Sequence, residues 1–413
     1  MTNVSNPWRV LLWAKGVLAL VVVFSLCFGF NWFQFGSAFA HWPPDGQPTL
    51  ASRFSTWDVA HYLRLSQDGY QAGNHSCAFY PLWPGMIHAA AALTVGRPLL
   101  ASLVLTTVLS VIGLGLFYRL VERHYPPEVA RDSLILMLAF PGALFFSFPY
   151  TEALYLVLLM VFFWGLELER WSWTAVAGLL LPLARPVGIF MIAPLTWYFF
   201  ERTDWARGFL RAKGREGGTA TSTNAAGSDA QPPGPARLAA GRTGSARWLV
   251  PVMLLLCPLL GYAAYFGVMY AWTGNPFEGF VAQKAYPNSP SIANMFDFPA
   301  FWSAFTNVGS LDGMMDSALD RGFFVLFLAL LPLIYRLNKT WFWYTLPTGL
   351  VPALTSYFMS YRRYIMVCFP VFIVLAMLLG KTKSRWVFWY YVVILAVLQG
   401  WAVKQFVNFN WAG

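Results

Sequence analysis

Residues 98–118 read PLLASLVLTTVLSVIGLGLFY, an apolar run with no charged side chain. About 20 such residues carry one helix across the hydrocarbon core of a bilayer, so this run decides the class of the fold. Similar runs lie near 10–31, 132–148, 150–167, 172–184, 187–200, 248–271, 321–336, 341–358, 364–380 and 386–404. The shorter ones suit helices that are broken or line a cavity. Together they predict about eleven transmembrane segments. Composition agrees: the 413 residues are 58% hydrophobic and 11% charged, where a soluble domain carries about 25% charged residues. The reading is an all-α integral membrane protein with one polytopic domain rather than two or three soluble ones. The first run has the apolar centre of a signal peptide, but no small-residue cleavage site follows it, so it is taken as an anchor and first span.

The formal charge of +10 belongs to membrane orientation rather than to nucleic acid. Arg9 and Lys15 put the N-terminus in the cytoplasm by the positive-inside rule. Following the runs in order, Arg119, Arg123, Arg131, Arg170, Arg336, Lys339, Lys381, Lys383 and Arg385 then fall on the same side, with the basic 201–247 loop. This is a parity argument, and it inverts downstream if 79–93 crosses the membrane instead of lying on it. The 213–246 stretch is Gly, Ala, Thr, Ser and Pro with almost no large apolar residue, which predicts a disordered cytoplasmic linker over 203–247. The chain then divides into an N-terminal transmembrane module, 1–202, and a C-terminal one, 248–413. Two large outer loops remain, 32–97 and 272–320, rich in Trp, Tyr, Phe and Pro as interfacial helices are. Cys27, Cys257 and Cys368 lie in apolar runs and Cys77 in a loop, which is neither a disulfide framework nor zinc spacing.

Candidate chemistry concentrates in the first outer loop. Trp57-Asp58-Val59-Ala60-His61-Tyr62 follows the first span, then come Asp68-Gly69-Tyr70 and Phe79-Tyr80-Pro81-Leu82-Trp83-Pro84. A helix through 57–70 places Asp58, His61, Tyr62 and Leu65 on one face. Asp58 is ionised at neutral pH and suits a general base toward a hydroxyl nucleophile. The plainer reading is a carboxylate, or Thr56, serving the first turn of a short helix. Asp68 precedes a glycine and equally suits a turn. No acid sits in mid-span, which argues against a proton-coupled transporter.

Three further outer tips carry charge. Phe148-Pro149-Tyr150-Thr151-Glu152 and Leu183-Ala184-Arg185-Pro186-Val187-Gly188 each separate two apolar runs. Arg185 needs an anion there, either a lipid phosphate or Glu152, and the two readings can coexist. At Ser360-Tyr361-Arg362-Arg363-Tyr364 two cations lie on the outer side, against the positive-inside pattern. Arginine suits phosphate through its bidentate fork; the alternative is snorkelling to headgroups. Neither a glycine-rich phosphate loop nor a Ser-His-Asp signal is present, and the glycosylation-type tripeptide at Asn74 carries little weight.

Taken together, these motifs resemble the PIG-V family of mannosyltransferases. The elements are Phe54 to Asp58 with His61-Tyr62, Asp68-Gly69-Tyr70, Ala78 to Pro84, Phe145 to Leu154, Ala184-Arg185-Pro186-Val187-Gly188, and Arg363-Tyr364 through Phe369-Pro370. Val187 stands where the family tip has a small polar residue. The resemblance implies a GT-C-type helical fold and an inverting glycosyltransferase with its site on the extracytoplasmic side, and the Ala/Gly/Pro-rich linker leans toward a bacterial plasma membrane. It implies transfer of a hexose, mannose by family, from a polyprenyl-phosphate donor to a lipid or glycan acceptor, with no cofactor and no metal. By carry-over Asp58 is the catalytic carboxylate. Trp57, His61, Tyr62, Asp68, Tyr80, Tyr150, Glu152, Arg185, Arg362 and Arg363 are the expected substrate-binding residues, the arginines more from charge than from family assignment. The rival readings are a transporter or lipid flippase, which would carry internal repeats and polar mid-span residues, and a non-catalytic membrane subunit.

Overall fold

A computed structural model describes residues 7–29, 49–203, 249–381 and 384–412. The 203–247 linker beyond Thr203 and the start of the first outer loop, with Asp45, lie outside them. The described residues fold into helices without a strand, except for one isolated bridge between Ser310 and Ser317. In chain order these are α1 (Pro7–Gly29), α2 (Asp58–Asp68), α3 (Leu82–Ala91), α4 (Pro98–His124), α5 (Pro127–Ala139), α6 (Glu152–Glu167), α7 (Trp171–Ala184) and α8 (Ile192–Phe200). After the undescribed segment come α9 (Leu249–Thr273), α10 (Glu278–Gln283), α11 (Phe298–Thr306), α12 (Ala318–Leu337) and α13 (Lys339–Ser356). The last are α14 (Tyr361–Val367), α15 (Pro370–Gly380) and α16 (Arg385–Val407).

Length and composition qualify five helices to cross a membrane: α1, α4, α9, α12 and α16. A sixth forms if α14 and α15, bent by 75° at the break around Cys368 and Phe369, are one span. The other expected spans coincide with shorter or more polar helices, α5, α6, α7, α8 and α13. The chain is therefore a polytopic membrane protein; among the described residues five or six helices meet this criterion by themselves, and the expected eleven are not all of that length. Of the shorter helices, α6 lies inside the bundle, where protein replaces lipid. Leu156, Leu159, Met160 and Phe162 of α6 are wholly buried, whereas Leu12, Trp13 and Leu20 of α1 are exposed, as a lipid-facing helix requires.

Irregular backbone at depth needs partners from the protein. At the α14–α15 bend the Val367 carbonyl accepts from the Tyr344 hydroxyl at 2.8 Å. The buried turn Pro141–Phe146 between α5 and α6 is held from α1. There Lys15 Nζ donates to the Phe146 carbonyl at 2.8 Å and to Ser147 Oγ at 2.7 Å. Lys15 is thus turned inward. Trp83 Nε1 donates to the Pro149 carbonyl at 3.1 Å, fixing α3 of the first loop against the same tip.

Charges collect at two ends of the bundle. At one end His124 and Arg123 of α4 meet Glu167 of α6 at 2.6 and 3.4 Å, and Arg385 of α16 meets Asp132 of α5 at 2.5 Å. The opposite end holds the first residues of α2 and α6, the last turn of α7 and the tip before α14.

Candidate active site

Asp58, Glu152 and Arg185 each occupy a helix terminus. Asp58 and Glu152 open α2 and α6, where the helix dipole favours an anion. Arg185 is the residue after α7, where it favours a cation, and Pro186 prevents the helix from continuing. Gly188 is required behind it, since a Cβ there would collide with the Leu181 carbonyl. Arg363 stands in the first turn of α14, against the dipole, and needs carboxylates to hold it.

It has two. Arg363 Nη1 donates to Asp58 Oδ2 at 2.5 Å and its Nε to Glu152 Oε1 at 2.6 Å. Arg185 Nη1 lies 2.6 Å from the same Glu152 oxygen. The Arg363 guanidinium also stands 4.6 Å from the Tyr150 ring and 5.0 Å from that of Phe145, and Arg185 faces Tyr364 at 5.0 Å, within cation–π range. Two carboxylates and two guanidiniums balance to zero charge. Glu152 is wholly buried, while the Asp58 side chain is 27% exposed. Asp58 is the most exposed member of the cluster.

A cavity of about 10 Å³ opens beside it, lined by Trp57, Asp58, Tyr150, Ser360, Arg363 and Trp411, with Phe145, Phe406 and Ala412 completing it. That volume is about enough for one water. Both sides carry unusual backbone. Trp57 has φ +56° with ψ −136°, and Tyr357, Phe358 and Ser360 all have positive φ just before Arg363. Non-glycine residues held this way cluster at functional sites. The last described residues are fastened to the first loop by Arg53, which is buried and donates to the Val407 carbonyl at 2.8 Å and Asn408 Oδ1 at 2.9 Å. Trp411 then stands edge-on to Trp57 at 5.5 Å.

Of the residues the sequence singles out, Trp57, Asp58, Tyr150, Glu152, Arg185 and Arg363 come together. Tyr62 borders them, edge-on to Tyr150 at 6.2 Å, and burial with the nearby Asp58 charge pushes its hydroxyl well above the usual range. His61 is occupied elsewhere: Nδ1 is 2.9 Å from Ser76 Oγ, Nε2 is 3.5 Å from the Tyr286 hydroxyl, and its ring stacks on Phe79 at 4.7 Å. Burial lowers its pKa, against an opposing pull from Asp58. Arg362 points away from its neighbour Arg363 into a wholly buried ion pair with Asp312, with Asp320 at 3.7 Å. Asp68 is exposed and faces Arg64 at 4.0 Å. Tyr80 meets the Tyr262 hydroxyl at 2.9 Å and stacks on Tyr265 at 4.4 Å, in a separate aromatic cluster.

Sequence reasoning did not select Phe145, Ser360, Phe406, Trp411 or Ala412 as site residues. Phe145 and Ser360 lie in stretches quoted above, while nothing local marks the other three. Among the described residues no cluster of three or more His, Cys, Asp or Glu side chains is arranged to hold a metal ion.

Residues 47–206 match the family described as mannosyltransferase (PIG-V). That segment contains Asp58, Glu152 and Arg185, and ends before Arg363. No curated protein and no solved structure matches the chain.

Proposed function

We propose that this chain, which matches the mannosyltransferase (PIG-V) family over residues 47–206, is a membrane glycosyltransferase of that kind and carries out the following reaction. The enzyme moves a hexose, mannose by family, from a polyprenyl-phosphate donor to a hydroxyl of a lipid or glycan acceptor, with inversion, at the extracytoplasmic face of the plasma membrane. Asp58 takes the proton of the acceptor hydroxyl. The acceptor oxygen bonds to the anomeric carbon from the face opposite the phosphate. The bond from that carbon to the phosphate oxygen breaks, and its electron pair leaves with the polyprenyl monophosphate.

The observation that carries this reading is the 2.5 Å contact between Asp58 and Arg363 on one cavity wall. It sets a carboxylate beside a guanidinium where a base and a leaving phosphate must work within one sugar of each other. Arg363 receives the phosphate as its charge grows, which is electrostatic stabilisation by a preorganised cation. Arg185 reinforces it through their shared counterion, Glu152. Trp57, Tyr62 and Tyr150 supply aromatic walls. His61, Tyr80 and Asp68 act indirectly in this scheme, by shaping the first loop, and Arg362 by anchoring the tip that presents Arg363. A hexose is much larger than one water, so Trp411 and Phe406 move aside to admit it, as gating elements do.

The test is sugar transfer in membranes supplied with labelled polyprenyl-phosphate mannose and host-extract acceptors, comparing wild type with Asp58→Asn. Product from wild type and none from the variant, with donor crosslinking intact in both, supports the assignment. Full activity in Asp58→Asn removes Asp58 as the base. Silence in wild type with crosslinking retained points to a different donor sugar, and loss of crosslinking as well sinks the enzyme reading.

A further inference from the structure

At the end of the bundle remote from Asp58, α1, α5 and α16 enclose a groove of about 540 Å³, within the range of about 300–1,000 Å³ typical of organic-ligand pockets. Val17 and Val21 of α1, Leu138 of α5 and Val392 and Ala396 of α16 are among its walls. At 1.5 Å of rise per residue, the stretch from Arg9 to Val21 makes it about 18 Å long. At its far end α1 and α16 draw together, a Cβ on Gly400 standing 3.7 Å from Val21, in ordinary contact.

The one charged residue of the lining is Arg9, which is exposed at the mouth. One helical turn below the lining residues Ile135 and Trp389, Arg131 and Arg385 share Asp132, at 3.0 and 2.5 Å. Three cations and one carboxylate leave this rim with a net charge of +2. An apolar slot of acyl-chain width that ends on surplus guanidinium charge is complementary to a single kind of membrane component. The geometry points to a binding site for one anionic phospholipid, with its phosphate on Arg9 and one acyl chain between α1, α5 and α16.

This site is separate from that of the sugar donor. Phe406, which lines the Asp58 cavity, lies six residues beyond Gly400 along α16, about 9 Å further. The donor phosphate belongs at that end, the phospholipid phosphate at the other. The assignment does not rest on the catalytic reading and is tested without activity.

The experiment is native mass spectrometry of the full-length protein from nanodiscs of equimolar palmitoyl-oleoyl phosphatidylglycerol and phosphatidylcholine. Wild type is expected to retain one phosphatidylglycerol in preference to phosphatidylcholine. Arg9→Glu removes the cation and Ala396→Trp fills the slot, and each is expected to cut that retention by about tenfold, the worth of a charge-assisted contact. Arg9→Lys is expected to keep most of it. Equal retention of both lipids, undiminished retention in Arg9→Glu or Ala396→Trp, or no retained lipid in wild type each overturns the assignment.

Discussion

Arg363 and Asp58 meet at 2.5 Å although 305 positions separate them in the chain. The contact joins the start of α2 to the first turn of α14, and Arg363 completes it by reaching back to Glu152 with its Nε. One planar fork therefore spans two carboxylates, a task that fits guanidinium and not ammonium.

Arg363→Lys is expected to lower transfer by about 10²–10³-fold, the loss typical when one preorganised donor to developing charge is removed. Initial rates at saturating labelled donor measure it. A lysine variant within threefold of wild type would mean that the leaving phosphate is held elsewhere.

Glu152→Gln leaves two buried guanidiniums around an amide. Breaking a buried ion pair from one side costs about 3–5 kcal/mol, so the variant should unfold well below wild type in detergent. Asp68→Asn is the control, since its exposed 4.0 Å pair with Arg64 contributes at most about 1 kcal/mol. Equal midpoints for Glu152→Gln and wild type would contradict the buried cluster.

His61 gives a pH dependence of known sign. Burial lowers its folded pKa below the ordinary value of about 6.5. As pH falls through that value the unfolded chain takes the proton first, so stability is full above it and declines below it. Melting temperature should drop between about pH 6.5 and 5, and His61→Gln should flatten that part of the curve. An identical slope in both proteins would assign the acid sensitivity to other groups.

Gly188→Ala should disturb Arg185 without touching a charge. The added methyl meets the Leu181 carbonyl, and relieving it shifts the α7 terminus at a cost of about 1–3 kcal/mol. Transfer and thermal stability should fall together, whereas alanine at Gly73, with open space around it but φ +76°, should affect stability alone. Wild-type transfer in Gly188→Ala would show that the Arg185 position is not critical.

Much of this was legible in the chain. The apolar runs coincide with helices, and Glu152 and Arg185 announced each other as charges at the tips of consecutive runs. Arg362 and Arg363 did not separate, because adjacent residues on a helix point some 100° apart and only the packing says which faces the cavity. Asp312 and Asp320 claim Arg362, and no local pattern marks that choice. Lys15 read as an orientation charge because its acceptors, Phe146 and Ser147, lie more than 130 positions away. Trp411 and Phe406 were invisible for the same reason: what makes them part of a cavity is Arg53 binding Asn408 across 355 positions. Length and composition qualify fewer helices than the eleven runs, because the short ones rely on neighbours rather than on length.

The order in which the cluster is assembled sets when the protein becomes competent. A ribosome-bound chain that has inserted α1 through α8 already carries Asp58, Glu152 and Arg185, two acids and one base, without the second cation. Neutrality arrives only when residue 363 has been made, and the cavity wall only with residues 406–412. The first half of the chain thus carries an acidic half-site, which the end of the chain converts into a neutral, enclosed one.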